Sequence, residues 1–347
     1  MILRLAIIGF GNVGQEFARM LLLKREWLLR SKGLDVEVLA IATKTKGSLL
    51  SRTALDLEKA LGHLKASGTF EGLPEYCDLT PLKIINHCDA DMMIELTTLN
   101  VETGQPAIDH IKAALDVGMD VVTANKGPVA LAFDELRDRA RARSVRFRFE
   151  GTVMDGTPIF NLVERTLPGC RVIGLEGILN STSNFVIGEM AKGLSMDEAI
   201  RGAQARGIAE EDPSLDIDGW DAAAKITALA NVLMEANLTP RDVEREGVRA
   251  VGSQDIKDAA EKGKKIKLIA MAARSGDRIR LTVKPQTVGP DSVFWSVDGT
   301  SSALRIQTDL MGDLTIVESG PATTQTAYAV FSDMLLTVEA IRAGTLC

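Results

Sequence analysis

Six acids (Glu210, Glu211, Asp212, Asp216, Asp218 and Asp221) fall within twelve residues, and Lys225 follows four residues after the last of them. On a helix that spacing sets Asp221 and Lys225 on one face, one turn apart. Clustered carboxylates suit a small substrate bearing an ammonium, and a lysine beside them can polarise or protonate a reacting oxygen. The competing reading is a solvated acidic loop followed by a helix-stabilising ion pair, the commoner fate of a charge run. Asp218 suits the N-cap of the helix that follows, whose buried stripe is Ile226, Leu229, Ala230 and Leu233.

Proton chemistry has few other carriers. The only histidines are His63, His87 and His110, too few for a histidine metal site or triad, and each reads as an ordinary surface or core residue. The four cysteines (Cys77, Cys88, Cys170, Cys347) have neither metal nor disulfide spacing, which points to a reducing compartment. Cys347, the last residue, is expected to be exposed. A second lysine stands out: the strand MDVVTAN (119–125) delivers Lys126 at its carboxyl end, ahead of Gly127 and Pro128.

These groups need a scaffold, and the N-terminus supplies one. The apolar run LRLAII (3–8) leads into Gly9, Phe10, Gly11, Asn12, Val13 and Gly14, and an amphipathic helix continues from Gln15. Strand before and helix after give this G-x-G-x-x-G its meaning as a dinucleotide turn. Gly9 permits the turn, Gly11 lets the backbone approach a pyrophosphate, and Gly14 allows helix to pack closely on strand. The second strand, VEVLAIAT (36–43), ends without the acid that would hold a ribose 2′-OH. Thr43, Lys44, Thr45 and Lys46 stand there instead, with Arg52 nearby, which favours the 2′-phosphate of NADP over NAD. Residues 47–83 read as less regular and polar, with Gly62, Gly68, Gly72, Pro74 and Pro81 as breakers. A strand at 90–97 and a helix at about 106–117 follow. Thr97, Thr98, Asn125 and Lys126 then fall at carboxyl ends of strands, where open α/β sheets bind ligands.

A basic helix (134–143) and the strand VRFRFEG lead to a domain boundary near 150. Beyond it come a strand at 172–180, a turn STSN (181–184), a helix from about Phe185, an antiparallel pair turning at Met311–Gly312–Asp313, and a last helix at about 324–343. The fold class is therefore α/β: a Rossmann-type dinucleotide-binding domain followed by an α+β domain. The chain's 347 residues suffice for two domains. Its net charge of −7 argues against nucleic acid, and no apolar run reaches the roughly 18 residues of a membrane span. The opening MILRLAIIG lacks a signal-peptide layout, so a soluble cytoplasmic metabolic protein is expected.

GFGNVG (9–14), TANKGPVA (123–130), GILNSTSN (177–184) and GIAEEDPSLDIDGWDAAAK (207–225) together resemble the homoserine dehydrogenase family, over essentially the whole chain. The resemblance implies NAD(P)-dependent interconversion of L-homoserine and L-aspartate 4-semialdehyde in amino-acid biosynthesis, by a homodimer or homotetramer. It implies a cofactor domain of residues 1–150 plus the C-terminal helix (about 318–347), and a catalytic and dimerisation domain over 151–317. By position, Lys126 and Lys225 match the catalytic lysines, Glu210, Asp216 and Asp221 the acids that bind substrate, and Ser181 and Thr182 the turn that touches it. Glu150 and Val153 match a monovalent-cation site such as one for Na+. Departures from the family pattern are Ser181 for a usual glycine, Met154 and Asp155 in a usually glycine-rich run, and Pro321 and Ala322 after Gly320. The chain stops short of the regulatory extension some members carry, so no threonine feedback through such a domain is expected.

The expectation is that Lys126 and the 210–225 segment converge on one small cavity. Two alternatives stand beside it: a paralogous NAD(P)-dependent dehydrogenase of another small hydroxy or oxo acid, and a non-catalytic NADP-binding sensor. A sensor has no need of Lys126, Glu210, Asp216, Asp221 and Lys225 together.

Overall fold

The computed structural model describes every residue except Asp277, Leu346 and Cys347, so the expected exposure of Cys347 lies outside the described residues. The chain divides into two compact units, Met1–Pro158 together with the segment from Ala322 on, and Ile159–Pro321.

The first unit runs β1 (Ile2–Ile8), α1 (Asn12–Lys32), β2 (Asp35–Ala42), β3 (Ser48–Leu50), α2 (Leu57–Ser67), β4 (Tyr76–Cys77), α3 (Pro81–His87), β5 (Met92–Glu95), α4 (Ala107–Asp116), β6 (Asp120–Thr123), α5 (Lys126–Ala142) and β7 (Phe147–Arg148). Its sheet has the order β4-β3-β2-β1-β5-β6-β7. The five strands from β2 to β7 are parallel, and β3 and β4 add an antiparallel edge. Leu3, Leu5 and Ile7 face Phe17, Leu21 and Leu28 of α1, whereas Ala6 and Ile8 face the opposite core with Ile111 and Leu115 of α4 and Leu136 of α5. Burial on both faces is why these strands read as unbroken apolar runs. The chain moves outward from β1 to β2 and then crosses to β5 on the other side, so β1 and β5 flank the switch point.

The second unit holds α6 (Phe160–Thr166), β8 (Val172–Ile178), α7 (Ser181–Met190), α8 (Met196–Ala205), α9 (Ser214–Ile217), α10 (Trp220–Met234), β9 (Glu244–Arg245), α11 (Ser253–Glu261), β10 (Lys265–Ser275), β11 (Arg278–Val288), β12 (Ser302–Thr308) and β13 (Asp313–Glu318). Its sheet, β13-β12-β8-β10-β11-β9, is antiparallel except where β9 joins β11. The long helix α10 packs against β8, β10 and β11 and is buried nearly all round. The last helix, α12 (Thr323–Ala343), returns to the first unit, where Val330, Phe331, Met334 and Val338 share a core with α1.

Several local expectations are corrected. Residues 47–83, read as less regular, hold α2 and the start of α3, capped by Asp56, which accepts from Lys59 N at 3.0 Å, and Thr80, which accepts from Lys83 N at 3.4 Å. Pro81, read as a breaker, is the first residue of α3, where its missing N–H has no helical partner to lose. The helix expected at 134–143 begins at Lys126, and its kink at Ala132 (φ −146°) separates the two halves. Pro128 fits because it falls in the first turn. The expected STSN turn is the first turn of α7, started by Asn180, whose Oδ1 accepts from Ser183 N at 2.7 Å. Asp218 is not the N-cap of α10; Gly219, with φ 80°, holds that place, and the Asp218 carboxylate accepts instead from Arg249 Nε at 2.9 Å.

Candidate functional site

In the first unit, Gly9 has φ 97° and donates its N–H to Ala42 O at 2.8 Å. A Cβ there would lie 2.4 Å from the Leu96 carbonyl, so only glycine lets the loops after β1 and β5 pass this closely. A Cβ on Gly14 would lie 2.6 Å from Gly9 O, which sets how tightly α1 meets the turn. Gly11 differs: its Cβ would meet nothing within 4 Å. No side chain caps α1, so its first-turn N–H groups face that open space at the positive end of a 21-residue helix. A dinucleotide pyrophosphate fits this cradle. Phe10 contributes backbone only: its ring is buried against Phe70, and its carbonyl accepts from Lys46 Nζ at 3.1 Å. Asn12 is exposed and Val13 half-buried.

After β2, the Thr43 hydroxyl serves its own loop, donating to Gly47 O and accepting from Lys46 N, both at 2.8 Å. Lys44 is exposed, and no acid ends β2. Across the switch point, Asn125 caps α5 through Gly127 N (3.1 Å) and donates to Thr97 O (3.0 Å), which makes Lys126 the first helical residue. Lys126 is half-buried, and Thr98 is exposed. Glu150 and Val153 are both buried in the turn after β7, where Glu150 N donates to Asp333 of α12 at 2.8 Å. Met154 and Asp155 follow with left-handed φ of 53° and 49°, and Thr326 donates to Asp155 at 2.9 Å. No group of three or more His, Cys, Asp or Glu side chains that could hold a metal occurs among the described residues.

In the second unit, Asp216 and Asp221 converge. The side-chain amide of Asn180 donates to Asp216 Oδ1 at 2.6 Å and to Asp221 Oδ2 at 2.9 Å. Lys225 Nζ lies 2.9 Å from Asp221 Oδ2 and donates to Leu179 O at 2.8 Å, at the end of β8. The Thr182 hydroxyl lies 3.2 Å from Ile208 O and is also close enough to Asp216 to favour its ionised form by turning its one proton toward either. Burial lifts the Asp216 carboxyl above its usual range and repulsion from Asp221 adds to that, while Asn180, Lys225 and Thr182 oppose it. Among the described contacts two carboxylates face one lysine, a balance suited to an incoming ammonium.

The other acids divide differently. Ser181 is half-buried in the first turn of α7. Glu210 is exposed, and among the described contacts its carbonyl, accepting from Gln204 at 3.2 Å, is the group engaged. Asp212 accepts from Ser214 N and Oγ, which hold its carboxyl below the usual range. Asn180 and Glu95 were not singled out by sequence. Asn180 had a signal, an N-cap residue between a strand and Ser-Thr-Ser.

An uncapped, open helix start above a parallel sheet, in one chain with a carboxylate–lysine cluster, defines a dinucleotide-dependent oxidoreductase. Residues 9–150 match the family model described as homoserine dehydrogenase, NAD binding domain, and residues 158–335 the model described as homoserine dehydrogenase. The chain belongs to the homoserine dehydrogenase family. It is 37% identical to the NAD(+)-dependent homoserine dehydrogenase of Pseudomonas canavaninivorans, over 96% of this chain and 95% of that one. A putative homoserine dehydrogenase from Archaeoglobus fulgidus superposes with a TM-score of 0.85 at 31% identity, covering 96% of this chain and 98% of that one. A hyperthermophilic archaeal homoserine dehydrogenase solved with NADPH gives 0.83 at 28% identity, over 98% of both chains.

Proposed function

We propose that the protein interconverts L-homoserine and L-aspartate 4-semialdehyde with NAD(P). The observation that carries this reading is the Asp216–Asn180–Asp221–Lys225 cluster, whose two carboxylates suit the α-ammonium of the substrate. Asp216, with Glu210 on the loop before it, binds that group, and Ser181 and Thr182 hold the rest of the amino acid. The bound nicotinamide supplies or takes the hydride. In the reductive direction negative charge grows on the aldehyde oxygen, and a lysine ammonium placed there stabilises it and gives up its proton to form the alcohol. Lys225, oriented by Asp221, and Lys126 are assigned to that oxygen. Both constellations thus serve one reaction, the first unit holding the cofactor and the second the substrate.

NADP is the favoured cofactor. No acid closes β2, Lys44 and Lys46 stand there, and a related enzyme is solved with NADPH, although another relative is named for NAD(+). Glu150, buried, and the Val153 backbone are assigned to a monovalent cation, which a Na+ and K+ titration of activity tests. We place the enzyme in the cytoplasm as a homodimer or homotetramer; among the described residues no helix is long and apolar enough to cross a membrane. The deciding experiment assays purified protein with L-homoserine and a panel of small hydroxy acids, comparing NADP with NAD. Turnover of another hydroxy acid but not homoserine would reject the assignment, as would cofactor binding without turnover.

A further inference from the structure

We propose that Glu95 is the positioning residue for Lys126, acting through Thr123 and Asn125; this rests on reading Lys126 as catalytic. Glu95 closes β5 with its side chain fully buried. Its Oε1 accepts from Thr97 N at 3.1 Å and from the Thr97 hydroxyl, and the Thr123 hydroxyl on the neighbouring strand β6 shares its one proton between Glu95 O at 3.0 Å and Oε2 at 3.1 Å. Thr123 Oγ1 accepts in turn from Asn125 N at 3.0 Å. Asn125 then ties Thr97 O to its amide and Gly127 N to its Oδ1, which sets the first turn of α5. One carboxylate therefore fastens the ends of β5 and β6 to each other and to the helix that begins with Lys126.

Burying a carboxylate is costly unless donors surround it, and an apolar side chain would fill the same space between strands without that cost. The donors to Glu95 all belong to the two strand ends at the switch point. His110 of α4 comes nearest otherwise, but its Nδ1 is 3.8 Å from Oε1, beyond hydrogen-bond reach. The acid thus fixes the geometry of two loops more than it strengthens the core. A lysine displaced by an ångström loses up to ~100-fold in rate.

The test is a double-mutant cycle on the full-length enzyme with Glu95→Gln, Lys126→Ala and the pair combined, followed by kcat, KM, cofactor dissociation constant and melting temperature. Glu95→Gln is expected to lower kcat by about 10- to 100-fold, with cofactor affinity changed less than about threefold. The pair should be no slower than Lys126→Ala alone, because the misplaced group is already gone. Thr123→Val should repeat the loss and Thr123→Ser recover most of it, which also carries the test if Glu95→Gln fails to fold. Multiplying losses in the pair, with Lys126→Ala itself crippled, would overturn this inference and leave Lys126 catalytic. Near-normal turnover of Lys126→Ala would instead remove the catalytic reading of that lysine, and this inference with it.

Discussion

Lys225 and Asp221 stand one turn apart on α10 with their charged atoms at 2.9 Å, and the same ammonium reaches back to the carbonyl of Leu179 at 2.8 Å. The pair therefore ties the helix to the end of β8, and Asp221 fixes where the lysine points. Lys225→Met keeps the length and removes the charge. It should reduce kcat by roughly 10²- to 10⁴-fold, the usual contribution of a positioned acid. Asp221 keeps Asn180 but loses its cation, so stability should fall by about 1–3 kcal/mol. Steady-state kinetics and thermal unfolding measure the two effects separately.

Asp216 is strained in the opposite direction. Burial, then Asp221, raise its carboxyl pKa, so the folded protein binds that proton more tightly than the unfolded chain does. This group favours folding at pH below the ordinary aspartate range, and that contribution is lost as pH rises through the raised value. Asp216→Asn should accordingly raise the melting temperature at pH 7, by the equivalent of about 0.5–2 kcal/mol, while KM for homoserine rises at least tenfold. In the wild type, KM should begin to climb during acidification before ordinary aspartates protonate. A variant that melts lower at pH 7, or a KM that stays flat in that window, contradicts the role given to Asp216.

The three glycines of the turn should fail differently. Gly9→Ala meets the Leu96 carbonyl at 2.4 Å with φ 97°, and should cost on the order of 2–4 kcal/mol in stability. Gly11→Val enters open space and should leave the melting temperature nearly unchanged. It should still weaken cofactor binding by about tenfold or more, since it blocks the approach of phosphate to the helix start. Calorimetry beside fluorescence titration with NADPH separates the two failures.

For the choice between cofactors, Lys44→Glu puts an acid on the exposed residue two places after β2. NADP affinity should fall about 10- to 100-fold, the range for losing a charge-assisted contact. NAD affinity should hold or improve. Equal losses for both cofactors would move the 2′-phosphate away from this loop.

Local chemistry made some features legible and not others. The turn at 9–14 could be read because its demands, an αL residue and two close approaches, fall on neighbouring residues. Lys126 stood out by its place at a strand's carboxyl end and Lys225 by its spacing from Asp221, while the family resemblance suggested a catalytic role for both. Asn180 did not, because its partners Asp216 and Asp221 are 36 and 41 residues away, and Glu95 meets Thr123 across 28. The acidic run blended carboxylates that composition cannot separate: Asp216 and Asp221 share an amide, Asp212 stabilises its own turn, and Asp218 pairs with the distant Arg249. Helix starts were missed where proline, serine and asparagine, poor inside a helix, begin one.

Placing α12 beside α1 has an outcome for biogenesis. A ribosome that has extruded Met1–Pro158 has not yet made Val330, Phe331, Met334 or Val338, which complete the core around Phe17 and Leu21. The nascent dinucleotide-binding half must wait, with that side uncovered, while the whole intervening unit is translated, and the cofactor can assist its folding fully only after α12 has been made.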